Sequence, residues 1–139
     1  MTPTQLATLH RQCFHTPRPW TAEEFADLLK SPLVFLVGDA RGFALGRVTL
    51  DEAELLTLAV APAHRRAGRG RACLSGFEAA AHARGATGSF LEVATDNSAA
   101  LALYRNASYC EAGRRPRYFH APDGGKIDAV VMRKTLKPL

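Results

Sequence analysis

The sequence predicts an α/β fold: a mixed, mostly antiparallel twisted sheet flanked by helices, in a single domain spanning residues 1–139. Three observations predict it. Two amphipathic helical patterns open the chain, and three strand patterns then follow one another across short turns, the signature of an antiparallel meander. Next, an apolar strand, a glycine-spaced loop, a helix and another strand run in succession over residues 54–94, a crossover that leaves two strands parallel. Finally, two strand patterns near the C-terminus are joined by Pro122-Asp123-Gly124-Gly125, a hairpin linker.

Each element has its own signal. Leu6, Leu9 and Cys13 mark the apolar stripe of a first helix that stops before Pro17. Thr21-x-x-Glu24 is a capping box for a second helix running to about Lys30, and Trp20 can staple onto Phe25 across it. Leu33–Val37 and Gly42–Leu50 read as strands around a turn at Gly38-Asp39, and Glu54–Ala61 as a third strand after a turn at Asp51-Glu52. A helix over Ala72–Arg84 turns Leu74, Phe77 and Ala81 inward and stops at Gly85. Ser89–Ala94 is a strand, Asn97 caps a short helix over Ser98–Asn106, and Tyr109–Phe119 and Ile127–Thr135 complete the sheet.

Composition narrows the class. A chain of 139 residues with 47% hydrophobic content can bury a full core. Cys13, Cys73 and Cys110 are odd in number and widely separated, so neither a disulfide framework nor a zinc site follows, and no metal is expected. The N-terminal residues lack a signal-peptide pattern, and no run approaches a membrane span. The expected setting is the reducing cytoplasm, with no membrane partner. The formal charge is +5, and removing Arg65, Arg66, Arg69 and Arg71 would leave +1, so most of the surplus sits in one loop. Concentrated charge of this kind suits a phosphorylated ligand. Arg114, Arg115 and Arg117 form a second cluster, which keeps a non-catalytic RNA-binding surface as an alternative, although no nucleic-acid module accompanies it.

The loop itself is His64-Arg65-Arg66-Ala67-Gly68-Arg69-Gly70-Arg71, set between a strand and a helix start. Glycines here let successive N–H groups converge on one anion, and the helix adds its own unpaired N–H groups. An ordinary surface turn with solvated arginines has the same residues. The spacing Arg-x-x-Gly-x-Gly resembles the acetyl-coenzyme A pyrophosphate loop of the GNAT superfamily of N-acyltransferases. Further residues extend the resemblance: Pro19-Trp20, Phe90-Leu91-Glu92-Val93, Asn97 through Tyr104, Arg115-x-Arg117-Tyr118-Phe119, Pro122-Asp123-Gly124, and Asp128 through Met132. In that order they are similar to the ribosomal-protein alanine N-acetyltransferases of the RimI type, over nearly the whole chain. Two positions depart from the pattern: Ser108-Tyr109 stands where a Gly-Phe pair is usual, and Tyr118-Phe119 where paired tyrosines are frequent. The first is tolerable if Ser108 avoids a strained backbone angle; the second removes a hydroxyl from the acceptor side.

The resemblance implies a GNAT fold and direct transfer of acetyl from acetyl-CoA, the co-substrate, to an amine, foremost the N-terminal amine of a protein or peptide such as a ribosomal protein. A small-molecule amine or lysine acetyltransferase, and a non-catalytic CoA-binding module, are the alternatives. It assigns Glu92 as general base and Tyr104 as general acid. The chemistry agrees, since an N-terminal amine with pKa near ~7.7–8.0 must lose a proton and a departing thiolate must gain one. Glu92 lies in an apolar strand, where burial would raise its pKa, but it could equally be a surface carboxylate or the ion partner of an arginine. Tyr104 could equally be a core aromatic at a helix end. Leu58, Ala59 and Val60 are expected to pair with pantetheine as an added strand, Arg65, Arg66, Ala67, Gly68, Arg69, Gly70 and Arg71 to hold the pyrophosphate, and Asn97 to cap its helix and reach the pantetheine. Tyr118 and Asp128 are candidates for shaping the acceptor groove.

Overall fold

The computed structural model describes residues 1–14 and 18–136, so Pro17, the expected stop of the first helix, lies outside the described residues. Helix α1 (Pro3–Cys13) and helix α2 (Ala22–Leu29) each begin with a complete capping box, Thr2 with Gln5 and Thr21 with Glu24. In each box the threonine hydroxyl accepts from the N3 backbone N–H while the N3 side chain accepts from the cap N–H, satisfying two orphan donors. Trp20 packs against Phe25 with ring centroids 5.4 Å apart, as the staple requires.

Strands β1 (Val34–Asp39), β2 (Gly42–Thr49) and β3 (Glu52–Val60) form the meander; helix α3 (Arg69–Ala83) leads to β4 (Gly88–Ala94), then helix α4 (Ser98–Asn106) to the hairpin β5 (Cys110–His120) and β6 (Lys126–Thr135). The sheet order is β1-β2-β3-β4-β6-β5, antiparallel everywhere except between β3 and β4. Two turns fall away from their expected positions. The Gly38-Asp39 turn moves to Ala40-Arg41, because Gly38 and Asp39 still pair with Phe43 and Gly42 and the Asp39 carboxylate accepts from the Arg41 N–H at 2.9 Å. The Asp51-Glu52 turn moves to Leu50-Asp51, because Glu52 is already paired with Thr49. Ser108 does not avoid strain: it sits at φ 75°, in the left-handed position that ends α4 and that favours glycine. Among the described residues, no helix is long and apolar enough to cross a membrane.

Two cores cover the two faces of the sheet. One joins α3 and α4 to Phe35, Ala44, Val48, Leu55, Leu91 and Val93; the other joins α1 and α2 to Val34, Phe43, Leu45 and Ala59. A β-bulge at Leu56 lets β3 serve both. Leu55 pairs with Gly46 and Thr57 with Leu45, so two steps on β3 match one on β2. Leu55 therefore faces α3 while Leu56 and Ala59 belong to the opposite core. The parallel pairing of β3 with β4 covers only Glu52–Glu54 against Gly88–Phe90. Beyond those three pairs the strands separate, and the gap becomes the cleft described below.

His10 links the second core to the sheet. It is 1% exposed; its Nδ1 accepts from the Trp20 backbone N–H at 3.0 Å, so Nε2 carries the proton and donates to Thr57 Oγ1 at 2.9 Å. Burial, opposed by the Glu24 charge, lowers its pKa to about 4. The folded state thus holds the neutral imidazole while the unfolded chain takes up a proton near pH 6.5. Stability is full above that pH and falls as pH drops towards 4, by a total on the order of 3 kcal/mol. Urea titrations across that range should show this slope, and His10→Gln, which cannot titrate, should flatten it.

Gly46 is required by close approach. A Cβ there would lie 2.5 Å from Phe77 Cε1 and 2.6 Å from Phe35 Cζ, two rings stacked 5.8 Å apart. Gly46→Ala should lower the unfolding free energy by about 2 kcal/mol through overpacking. A denaturant midpoint equal to that of the native protein would contradict this packing.

Candidate active site

The separation of β3 from β4 opens a cleft of about 900 Å³. Its floor is formed by Leu55–Val60 and Leu91–Ala94. Because the gap passes through the sheet, both faces contribute walls: Asn97, Ala100, Leu103 and Tyr104 of α4 from one side, His10, Cys13, Phe14 and Trp20 from the other. Tyr118 and Phe119 of β5 close one end and Arg65, Arg66 and Gly68–Arg71 the other.

Backbone alternation decides what β3 offers to this gap. The Ala61 N–H donates to Arg41 O, so the polar groups of Ala59, two residues earlier, also turn to β2, where Ala59 pairs with Phe43. Those of Leu58 and Val60 turn to the cleft. Consistently, Val60 O accepts from Arg65 Nε at 3.2 Å and from the Cys13 thiol at 3.3 Å. Of the three residues expected to act as an added strand edge, Leu58 and Val60 present their amides, and Ala59 does not.

The basic loop is built differently from the expectation in one respect. α3 starts at Arg69 rather than Ala72, so Arg69, Gly70 and Arg71 are its first turn and their N–H groups have no intrahelical partner. Gly68 is the N-cap at φ 76° and supplies no side chain to cap them, which leaves the turn open to an anion. The left-handed residues are Gly68 and Arg66, at φ 63°; Gly70 is helical. A Cβ at Gly70 would make ordinary contact with Leu103 Cδ2 at 3.4 Å, on the cleft wall. Arg71 Nη1 donates to Asn106 O at 3.2 Å, tying α3 to the end of α4, and Ala67 does not line the cleft.

Glu92 points opposite to Leu91 and Val93, into the cleft, with a side chain 16% exposed. The expected apolar burial is not what surrounds it: its carboxylate pairs with Arg115 Nε at 3.0 Å, reached across the sheet from β5. The Glu92 charge, more than burial, pushes the Tyr118 hydroxyl above its ordinary pKa. Tyr118 itself is 46% exposed, with the Arg115 guanidinium over its ring at 5.3 Å. Tyr104 is buried, and burial raises its pKa well above the usual tyrosine range, so its hydroxyl stays protonated. Asn97 Oδ1 accepts from the Ala100 N–H at 3.1 Å, capping α4 at the cleft wall.

Asp128 stands apart from the cleft. Its Oδ1 accepts from the Arg117 N–H at 2.8 Å and holds that residue at φ 55°, where the β5–β6 register slips between Arg115 and Phe119. Its partner Arg117 is the neighbour of Tyr118, which does line the cleft. The second arginine cluster is also less free than its sequence suggests, since Arg114 pairs with Glu111 and Arg115 with Glu92. Sequence reasoning passed over His10 and Thr57, both of which line the cleft. The signal was present in the spacing Leu6-Leu9-His10-Cys13, a polar ring on an apolar helical stripe. Among the described residues, no three His, Cys, Asp or Glu side chains cluster as metal ligands would.

This geometry has known counterparts. The family described as Acetyltransferase (GNAT) matches residues 4–109. Over 95 residues the chain is 40% identical to the Escherichia coli (strain K12) ribosomal protein bS18-alanine N-acetyltransferase, covering 68% of this chain and 64% of that protein. The match thus spans slightly less than two thirds of that relative's length. Over 137 residues it is 37% identical to the Mycobacterium tuberculosis protein named N-alpha-acetyltransferase RimI, covering 92% of this chain and 83% of the other. The crystal structure of the ribosomal-protein-S18-alanine N-acetyltransferase from Escherichia coli superposes with a TM-score of 0.85 at 29% identity, over 99% of this chain and 89% of that one. A parallel strand pair that parts after three rungs, a basic loop at one end of the gap, and a family match over most of the chain have one reading: the chain belongs to the acetyltransferase (GNAT) family.

Proposed function

We propose that the chain transfers the acetyl group of acetyl-CoA to the N-terminal α-amine of a protein, with a ribosomal protein as the acceptor that its relatives suggest. The observation that carries this reading is the through-sheet gap, where Glu92 from one face and Tyr104 from the other line a single cleft. In this scheme the amides of Leu58 and Val60 receive the pantetheine arm, Asn97 adds its side-chain amide, and Arg65, Arg66 and the first-turn N–H groups of α3 hold the pyrophosphate.

The acceptor amine enters from the α1 side. Glu92, directly or through a water, takes the amine proton as the C–N bond forms, while Arg115 holds the carboxylate in place. As the C–S bond breaks, the thiolate receives the proton of Tyr104. Burial makes Tyr104 a weak acid, but it also destabilises the thiolate emerging beside it, so the proton moves only as charge develops on sulfur. The net result is an amide and free CoA thiol, with the amine proton passed to solvent through Glu92 and Tyr104 reprotonated from it. The reaction draws on acetyl-CoA as substrate and on these side chains.

Steady-state rates with an alanine-terminated peptide test the assignment. Glu92→Gln should lower kcat by roughly 10²-fold near neutral pH, with a smaller deficit as pH rises and the amine deprotonates unaided. Tyr104→Phe should lower kcat by about 10–100-fold with little change in KM for acetyl-CoA. Native rates from both variants across pH would defeat the scheme.

The donor loop gives a separate expectation. Gly68→Val places a β-branched residue at φ 76° and should weaken CoA binding about tenfold or more, whereas binding of pantetheine, which lacks the pyrophosphate, should hardly change. Arg66→Ala should weaken CoA more mildly, with an effect that shrinks as salt rises. Calorimetric titration of both ligands separates these contributions.

A further inference from the structure

Outside the groups assigned to donor binding and proton transfer, one polar cluster lining the cleft is centred on a buried and satisfied histidine: His10 with Thr57 and the Trp20 backbone. It joins three elements. α1 supplies the imidazole, the segment entering α2 supplies the Trp20 N–H, and β3 supplies the hydroxyl, immediately after the bulge at Leu56. The ring is clamped on its flanks as well, stacked on Phe14 at 4.3 Å and edge-on to Phe25 at 5.4 Å. Both nitrogens are used in opposite senses, one accepting and one donating, which only a neutral imidazole in a single tautomer can do.

The cluster lies on the face of the sheet from which Glu92 projects, away from α4 and the basic loop. It therefore fixes the wall facing Glu92, and its own hydrogen bonds go to Thr57 and Trp20 rather than to the groups assigned to the donor. We propose that His10 is a positioning residue for the acceptor: through Thr57 and Trp20 it locks α1 and the entry to α2 onto β3, and so sets the width of the space in which the acceptor amine meets Glu92. The kinetic side of this inference rests on the N-terminal acetylation reading; the structural side does not.

His10→Leu keeps the bulk and removes both hydrogen bonds. It should raise KM for the acceptor peptide about tenfold while KM for acetyl-CoA stays within about twofold. Thr57→Val, which breaks one bond of the two, should give a smaller shift in the same direction. His10→Gln, which can both donate and accept, should recover most of the acceptor affinity; a packing role alone would not separate Leu from Gln in this way. Trp20 is the only tryptophan of the chain, so its emission reports on the wall without any turnover. In His10→Leu it should shift to longer wavelength and become more open to acrylamide, and in His10→Gln it should stay near the native spectrum. Equal rises in both KM values, or unchanged Trp20 emission and quenching in His10→Leu, would overturn the proposal. If the native protein turned over no N-terminal peptide, the acetylation reading would fall and the Trp20 measurements would still decide the positioning role.

Discussion

Everything functional in this molecule depends on the failure of two neighbouring strands to stay paired. β3 and β4 share three rungs and then diverge, although both continue for several residues. Divergence turns the backbone groups of Leu58 and Val60 to the gap, where the Val60 carbonyl accepts from Arg65 and Cys13 instead of from a neighbouring strand. A backbone group left without a partner away from water costs about 1–3 kcal/mol. Such an arrangement persists because the bulge at Leu56 turns β3 so that its two halves pack into different cores, Leu55 against α3 and Ala59 against α1 and α2. Restored pairing would pull one of these sets out of its core. Apolar burial on both faces thus holds open a polar slot that a linear, amide-bearing ligand is shaped to fill.

The same slot explains the division of labour between faces. Residues assigned to the donor belong to β3, the basic loop, α3 and the start of α4, whereas the acceptor wall comes from α1, the segment before α2 and the β5–β6 hairpin. Glu92 and Tyr104 line one cleft because the opening passes through the sheet. Charge is partitioned in parallel. The basic loop keeps its arginines around open helix N–H groups, while Arg114 and Arg115 are paired with Glu111 and Glu92. Of the two arginine clusters in the sequence, one surrounds open helix N–H groups and the other is mostly paired along β5.

Local chemistry was the legible part. The helix over Ser98–Asn106 falls where Asn97 announces it, and the Thr21–Glu24 capping box forms, because those signals act within four residues. The start of α3 was read three residues late, since Gly68 caps by conformation and leaves no side-chain signature. The bulge, the short parallel pairing and the Glu92–Arg115 pair were not legible, because each depends on residues brought together from distant segments. Asp128 is expected at the groove only through the resemblance, and it bonds to the Arg117 N–H outside the cleft lining. Ser108 shows the opposite case, a side chain accepted at a backbone angle its type disfavours, because the turn after α4 is fixed by Tyr109 N–H donating to Tyr104 O at 2.9 Å.

Mechanically, the sheet is two three-stranded blades, β1-β2-β3 and β4-β6-β5, fastened along the backbone at one end only. From the last shared rung at Glu54 to the end of β3 at Val60 the free arm is six residues long, about 20 Å at the rise of a strand. A rotation of about 5° at the fastened end therefore moves the tip by about 2 Å, enough to admit or release a methylene chain. Motion too small to break a hydrogen bond at the pivot is magnified at the mouth, beside the basic loop. Any rotation between the blades would pivot at the three rungs of Glu52–Glu54, against the core that α3 and α4 share with both blades.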